Sequence, residues 1–344
     1  MKAIRLLAAL AIASVAFASQ AADPAKKTFL LRFAHHNPPT SYLAVKGFDP
    51  WVKAIEARTN GRIKFEVYPS QMLSKTTDVY DNTISGLTDI GWSFVSFYPG
   101  RFPLTEVINL PMLGFDKAAI GSKVIWDLYQ NSPYLKKEFA DVKVLTLHTH
   151  DGNPIISKRP ILTGADIAGK KLRTGGGPIN PFMQALGASP IMMGSTDTYQ
   201  AAEKGVIDGA VLVWEAIQMQ SLQEILKEVL DASVNSGVFF LVMNKKLWDS
   251  LPPDIQQVID EESGDKASQL FAKAFDDTKD LCVADFVKAK GTVHLLDPAE
   301  AAKWQEKARP IWDKWVADLE AKGQPAKAVL EYTLKKVEEV KKQM

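Results

Sequence analysis

The chain has 344 residues, and its 41 Lys and Arg residues nearly balance its 40 Asp and Glu residues, which gives a formal net charge of +1. This balance provides no overall electrostatic field that would favour nucleic acid or an anionic membrane as a partner. Cys282 is the only cysteine, so an intramolecular disulfide is excluded.

Residues 1–21 have the pattern of a secretory signal peptide. Lys2 and Arg5 form a basic start, residues 6–18 an apolar core, and residues 19–21 a small-residue cleavage site. The apolar core is shorter than the roughly 20 residues that span a bilayer, and no later run is long and uncharged enough. Cleavage leaves 323 residues with a net charge of −1, which suffices for two domains. We therefore expect a soluble periplasmic protein with two lobes.

Apolar runs alternate with helical patterns in the first part of the mature chain. The pattern predicts a strand over 29–34, a helix over 42–58 and a strand over 63–68, followed by a helix over 77–85 and a strand over 89–94. Such alternation is typical of a mostly parallel sheet. The amino-terminal lobe is predicted to be α/β.

The alternation begins again further along the chain. Strands are predicted over 143–150, 155–161 and 170–174, then a helix over 179–187 and a strand over 189–193. This predicts a second α/β lobe.

The last part of the chain supplies a further strand and a long helix. A strand over 206–214 is predicted to present Trp214 and Glu215 at its end, where ligand residues often lie. A strand over 238–243 precedes a helical region that starts at Pro252 and is expected to break near Gly264.

Arg173 ends one of these strands and is followed closely by the glycine run 175–177. A guanidinium is planar, always charged and bidentate toward carboxylates, while glycines let backbone approach a ligand closely. This chemistry suits capture of a small organic anion. A surface arginine beside a flexible loop explains this segment equally well.

Two further groups suit a ligand cleft. His35 and His36 open the loop after the first strand, where one of them is expected to contact a ligand. Trp92 and Phe94 lie on the same face of a strand, so either both line a pocket or both are buried.

Support for catalysis is weak. His148 and His150 lie on one strand face beside Asp151, but a zinc site needs a third ligand and none has the required spacing, so structural roles are favoured. No G-x-S-x-G motif is present. The segment 164–170 fits G-x-x-x-x-G-K, yet Lys171 follows where a phosphate loop needs Ser or Thr.

Taken together, several segments resemble the substrate-binding proteins of tripartite ATP-independent periplasmic (TRAP) transporters, a dicarboxylate-binding-protein-like family. The segments are FAHHNPPTSY, TNGRIKFEVYPSQML, SGLTDIGWS, GKKLRTGGGPINPFMQALGASPIMM, TYQAAEKGVIDGAV and KKLWDSLPPDIQQVIDE. The resemblance implies a two-lobed α/β clamshell with a long helix spanning both lobes. It also implies an organic acid as ligand, delivery to small and large membrane permease subunits, no cofactor, and no enzymatic activity.

The resemblance also implies a division of the chain. We expect a signal peptide at 1–21, lobe I at 22–147 plus about 237–280, lobe II at 148–236 plus about 281–325, and a C-terminal helix at 326–344.

By the same resemblance, Arg173 is the carboxylate-binding residue. The remaining predicted ligand-binding residues are His36, Asn37, Trp92, Phe94, Asn153 and Trp214. Asn153 and Phe94 stand where sialic-acid binders of the family have an arginine and a glutamate, which disfavours a polyol. Aromatic rings reward apolar area, so a monocarboxylate with an apolar or aromatic body is favoured.

The sequence is also compatible with a C4-dicarboxylate as the ligand. Such a ligand would need an extra charge or donor, which His36 is expected to supply because its ordinary pKa lies near working pH. Glu215 is a candidate for holding a metal ion that bridges to the substrate, as in some members of the family.

Two functions compete with that of a TRAP binding protein. One is a binding protein that serves an ATP-driven importer or a sensor kinase. The second is a periplasmic metal-dependent enzyme that uses His148 and His150.

Overall fold

The computed structural model describes residues 27–344, and the predicted signal peptide lies outside them. The strands in this part of the chain are β1 (Phe29–Ala34), β2 (Ile63–Tyr68), β3 (Ile90–Phe94), β4 (Val142–Thr149), β5 (Ile155–Ser157), β6 (Lys171–Thr174), β7 (Ser189–Met192), β8 (Gly209–Val211), β9 (Glu228–Asp231), β10 (Val238–Asn244) and β11 (Thr292–Leu295). The α-helices are α1 (Asp49–Arg58), α2 (Val79–Ser85), α3 (Ala118–Asn131), α4 (Pro133–Glu138), α5 (Gly164–Ile167), α6 (Ile179–Ala185), α7 (Thr198–Glu203), α8 (Trp214–Met219), α9 (Lys245–Ser250), α10 (Pro253–Glu262), α11 (Gly264–Lys288), α12 (Pro298–Glu320) and α13 (Ala326–Gln343).

The first sheet has the strand order β2-β1-β3-β10-β4. β1 runs parallel to β2 and β3, whereas β10 is antiparallel to β3 and β4. β3 and β10 are buried along their whole length, as expected for apolar strands covered on both faces. β10 comes from late in the chain, so the first sheet is completed only after most strands of the second have been built.

The second sheet has the order β11-β9-β5-β8-β6-β7. β6 lies between β7 and β8 and runs parallel to both. Arg173 is paired with Ile191 of β7 and with Ala210 of β8. This central position places the arginine side chain beside the ends of two neighbouring strands.

Two chain segments that cross between the sheets are bonded to each other. The Asn153 N–H donates to the Asn235 carbonyl at 2.8 Å, and the Val234 N–H donates to the Asn153 carbonyl at 3.0 Å. Thr149 and Val238 pair where β4 leaves the first sheet and β10 enters it. These paired crossings, here called the hinge, connect the two halves of the molecule, the first built on the first sheet and the second on the second sheet.

The long helix α11 packs on α3 and β4 on one side of the molecule and on α8 and β11 on the other. It begins at Gly264, whose φ is +61°, and this confirms the predicted break there. Gly47 makes room for α11, because a Cβ on that residue would lie 3.0 Å from Phe271 Cδ1. The predicted two-lobed α/β fold with a long helix across both lobes is confirmed.

Three predicted elements differ in the structure. The helix predicted from residue 42 starts with a π-helical turn at Ala44–Phe48 before α1. The strand predicted over 155–161 ends at Ser157. The strand predicted over 206–214 is reduced to β8, because it pairs with the three-residue β5, and Trp214 instead begins α8.

Among the described helices, none combines the length and apolar composition needed to cross a membrane. The proposed lobe boundaries stay a prediction, with 147 falling inside β4.

Phe271 on α11 tests how strongly the long helix holds the fold. Its fully buried ring packs edge-on against Phe48 and His148 beside Gly47, so Phe271→Ala is expected to lower the free energy of unfolding by about 3–5 kcal/mol. Val287→Ala, on the same helix but 53% exposed, is the control and is expected to change it by less than about 0.5 kcal/mol. Urea unfolding measures both, and equal effects would contradict this account.

Candidate functional site

A cavity of about 70 Å³ lies between the two halves of the molecule and is lined by residues from both. The predicted site residues that line it are His36, Asn37, Trp92, Phe94, Asn153 and Arg173. Their assembly from distant parts of the chain follows from the crossing strands and the hinge.

Trp214 is not among the lining residues. Its side chain is 1% exposed and packs against Phe286, with the ring centroids 5.7 Å apart. The prediction placed it at the end of a strand, but it begins α8, and the next residue, Glu215, lines the cavity instead.

The Arg173 side chain is held in place by two backbone carbonyls. Its Nε and Nη2 donate to the Met193 carbonyl at 3.1 and 2.7 Å, and its Nη1 donates to the Val211 carbonyl at 3.2 Å. A guanidinium has five N–H groups, so these bonds leave one on each terminal nitrogen. The two remaining donors match the two oxygens of a carboxylate.

Arg173 is a buried cation, since only 3% of it is exposed. Burial lowers its pKa from 12.5 to about 10, so the guanidinium is still protonated near neutral pH. None of the salt bridges formed within residues 27–344 involves it. Because an unpaired buried charge is costly, this arrangement suits an anionic ligand.

One wall of the cavity is a stack of aromatic rings. Trp92 Nε1 donates to His148 Nε2 at 2.8 Å, and the Trp92 ring stacks on Phe239 with centroids 4.6 Å apart. The His36 ring lies 4.7 Å from Trp92, and Phe94 lies 5.1 Å from Phe239. Trp92 and Phe94 therefore both line the cavity and are both buried.

The histidines near the cavity are neutral. Burial lowers the pKa of His36 to about 3, with further lowering by His35 and Arg173, and burial lowers the pKa of His150 to about 4. The lowered pKa disfavours the expectation that His36 supplies an extra positive charge, whereas its alternative role as a hydrogen-bond donor to the ligand stays a prediction. Its proximity to Arg173 in a buried site disfavours the protonated form.

Metal binding by His148 and His150 finds no support in their contacts. His148 Nε2 accepts a hydrogen bond from Trp92, so that nitrogen is already occupied. The His148 ring is buried in the aromatic stack, and this burial lowers its pKa to about 3. Within the described residues, no group of three or more His, Cys, Asp or Glu side chains is placed to hold a metal ion.

A row of asparagine side chains runs from the hinge along the cavity. Asn153 Nδ2 donates to Asn235 Oδ1 at 3.0 Å, and Asn235 Nδ2 donates to Asn109 Oδ1. All three line the cavity. Asn37 joins the lining from the first loop, where its carbonyl accepts from the Ser70 N–H at 3.0 Å.

Glu215 connects the two halves across the cleft. Its Oε1 accepts the Leu43 N–H at 2.8 Å, and Leu43 immediately precedes the π-helical turn. Burial raises the pKa of Glu215 to about 7, although the backbone N–H groups of Leu43 and Tyr42 act in the opposite direction.

Several lining residues were not predicted from the sequence. Asn109, Asn235, Phe239 and Phe275 also face the cavity. Phe239 lies in an apolar strand and Phe275 on an amphipathic helix, where a phenylalanine is indistinguishable from ordinary core. Only Asn235, in the polar pair just before β10, carries any local signal.

Two α/β lobes with a cavity between them, lined by an aromatic wall and a buried arginine, are the arrangement of a periplasmic-type solute-binding protein. The sequence profile of DctP, the bacterial extracellular solute-binding protein family 7, matches residues 33–318. The chain therefore belongs to this family of TRAP solute-binding proteins, as its motifs predicted.

Relatives align over almost the whole chain. The outer membrane transporter protein TsaT of Comamonas testosteroni is 26% identical over 337 residues, 95% of this chain and 96% of that protein. The C4-dicarboxylate-binding periplasmic protein DctP of Rhodobacter capsulatus is 25% identical over 319 residues, 90% of this chain and 93% of that protein.

Two solved structures are also similar. A marine metagenome TRAP solute-binding protein specific for aromatic acid ligands, in complex with 3-hydroxybenzoate, has a TM-score of 0.88 at 26% identity and covers 91% of this chain and 99% of its own. A TRAP solute-binding protein from Rhodoferax ferrireducens T118, in complex with copurified benzoate, has a TM-score of 0.88 at 28% identity. The match covers 92% of this chain and 99% of that protein's chain.

Glu215 is expected to make stability depend on pH. Its raised pKa means that the folded protein keeps a proton that the unfolded chain releases between the ordinary value of 4.5 and about 7. The resulting stabilisation is present below 4.5 and is lost as pH rises through about 7. From pH 5 to 8, the wild type should lose roughly 1–3 kcal/mol of unfolding free energy relative to Glu215→Gln.

Urea unfolding of both proteins at each pH measures this difference, in which the titration of all other groups cancels. Glu203→Gln, at an exposed position on α7, controls for removal of a carboxylate from the same half. A constant difference between wild type and Glu215→Gln across this pH range would contradict the assignment.

Proposed function

We propose that this TRAP solute-binding protein captures a small monocarboxylate with an apolar or aromatic body and delivers it to a membrane permease. The observation that carries the proposal is the buried Arg173 guanidinium. Two of its five N–H groups make no hydrogen bond to residues 27–344. The Arg173 side chain binds the carboxylate, and the aromatic wall accommodates the rest of the ligand.

Charge supports a single carboxylate. Arg173 is the cationic side chain of the lining, whereas His36 and His150 are neutral and Glu215 adds negative charge as it titrates near pH 7. A second carboxylate would be buried beside Glu215 without a cation of its own, which is costly. This argues against a C4-dicarboxylate, although DctP of Rhodobacter capsulatus is named for such ligands.

Shape and surface support an apolar body. Rings from Trp92, Phe94, Phe97, Phe239 and Phe275 line a cavity of about 70 Å³. Aromatic ring faces bind apolar surface favourably but provide few hydrogen-bond partners for hydroxyl groups. A compact acid therefore fits this cavity better than a sugar acid. The two similar structures that hold 3-hydroxybenzoate and benzoate support the same ligand class.

Delivery to small and large TRAP permease subunits in the periplasm is the second half of the proposal, and it is supported by membership of the family. Uptake of the acid by cells that contain both permease subunits, with and without this protein, tests it. Uptake that is unaffected by the protein would count against delivery.

Arg173→Lys is expected to weaken binding of the acid by at least about tenfold, because a lysine offers a point charge where two parallel hydrogen bonds are needed. Protein is refolded from denaturant to remove any copurified acid. Calorimetry and thermal unfolding are then measured with benzoate, 3-hydroxybenzoate, small aliphatic monocarboxylates, succinate and galacturonate. A ligand at a hundredfold excess over its Kd should add about 2.7 kcal/mol to the stability of the folded protein.

Arg159→Lys, at an exposed position in the same half, is the matched control and should bind like the wild type. Tight binding of succinate or galacturonate without binding of monocarboxylates would overturn the proposed ligand class. Equal binding by Arg173→Lys and Arg159→Lys would overturn the role of Arg173.

A further inference from the structure

The glycine run 175–177 contacts the opposite half of the molecule as well as the cavity. From these contacts we infer that the run, here called the glycine loop, is the closing contact of the cleft, whose backbone must touch the first half before the ligand is enclosed. The inference rests on the proposed function, because it explains how capture of the acid is completed.

Gly175 lies against Phe94, the last residue of β3. A Cβ at Gly175 would be 3.1 Å from Phe94 Cε1, closer than most such contacts. The backbone of Gly175 is outside the left-handed region, so glycine is not required there for conformational reasons. A side chain at this position would instead disturb the close approach of the opposite half.

The next two glycines make the same approach and also have left-handed backbones. The φ values of Gly176 and Gly177 are +92° and +72°. A Cβ at Gly176 would lie 2.9 Å from Met192 Cε of its own half and 3.2 Å from the Ser96 carbonyl oxygen, and one at Gly177 would lie 2.5 Å from Asn109 Nδ2 and 2.7 Å from Glu106 Oε2. All three glycines therefore approach groups of the first half closely, and a side chain at any of them would have to displace a neighbour.

The surface that receives the glycine loop is organised by hydrogen bonds of its own. Ser96 Oγ donates to Glu106 Oε2 at 3.0 Å, and Asn109 Nδ2 donates to the same oxygen at 2.9 Å. Asn109 Nδ2 also lies 3.3 Å from the Gly176 carbonyl, which accepts a bond across the cleft. Asn109 can therefore donate to the backbone of the glycine loop only when the two halves are in contact.

The closing contact shares residues with the ligand cavity and the hinge. Gly175, Gly176 and Asn109 line the cavity, and Arg173 is two residues before the loop. Asn109 accepts a bond from Asn235 in the hinge segment. An acid bound by Arg173 therefore lies beside the contact that encloses it, so ligand binding and closure stabilise each other.

Gly175→Ala tests this inference, with Gly194→Ala as the matched control. A Cβ at Gly194 meets nothing closer than 3.6 Å, and that residue also has an ordinary backbone. Both variants remove one glycine from the unfolded chain, so that contribution cancels between them. Thermal unfolding in the absence of ligand first establishes that each variant folds.

Closure is measured by pulsed electron paramagnetic resonance between spin labels on Lys53→Cys and Glu203→Cys, both exposed, in a Cys282→Ala background. Distances are recorded without ligand and with benzoate, and the affinity for benzoate is measured in parallel. Gly175→Ala should reduce the closed-distance population and weaken benzoate binding by about tenfold, whereas Gly194→Ala should change the affinity by less than about twofold. The double variant Gly175→Ala, Phe94→Leu should recover the closed distance, because it removes the ring edge that the new Cβ meets.

Equal closed populations in Gly175→Ala and Gly194→Ala would overturn the inference, as would a double variant that stays open. Failure of the wild type to bind any acid would instead count against the proposed function, while the ligand-free distances still decide the role of the loop.

Discussion

The site depends on one buried cation. The Arg173 guanidinium is fixed by the carbonyl of Val211, which ends β8, and by the carbonyl of Met193, which directly follows β7. Carbonyl dipoles orient the charge but do not neutralise it, so the energetic cost of burial remains until an anion arrives. The parallel arrangement of β6, β7 and β8 thus holds the guanidinium for its proposed role, because it brings two carbonyls to one side chain.

The first half of the molecule contributes shape rather than charge. Trp92 is fixed by its bond to His148 and by stacking on Phe239, which arrives from β10 after the chain has already built most of the second sheet. Such a wall is rigid because every ring in it is packed on another ring. The aromatic wall and the hinge are also connected through β10, because Asn235 of the hinge precedes Phe239 of the wall by only a few residues.

The sequence was sufficient for most secondary-structure elements and for the place of Arg173 in the cavity, but not for the whole lining. Strands such as β1 and β2 have local apolar patterns with clear ends, and six separate segments carry the family pattern, so the fold could be predicted. Trp214 and Glu215 show what the sequence could not predict. A strand that continued to residue 214 would place Trp214 in the cavity, whereas Glu215 lines it instead. The strand stops because its partner β5 is short, which is a property of pairing that no local pattern contains. Phe239 and Phe275 could not be separated from core residues, because their place in the cavity also depends on how distant segments pack.

Burial gives recognition and closure a common cause. In an open cleft, water would solvate the Arg173 guanidinium, and the cation would need no partner. In the cavity, burial lowers the pKa of His36 and raises the pKa of Glu215, so a second anionic group beside Arg173 would be penalised. A neutral molecule of the same shape would leave the cation unpaired on closure, whereas a carboxylate offsets the desolvation through two charge-assisted hydrogen bonds. Under the proposed function, a carboxylate that pairs with Arg173 therefore stabilises the enclosed state more than a neutral ligand does.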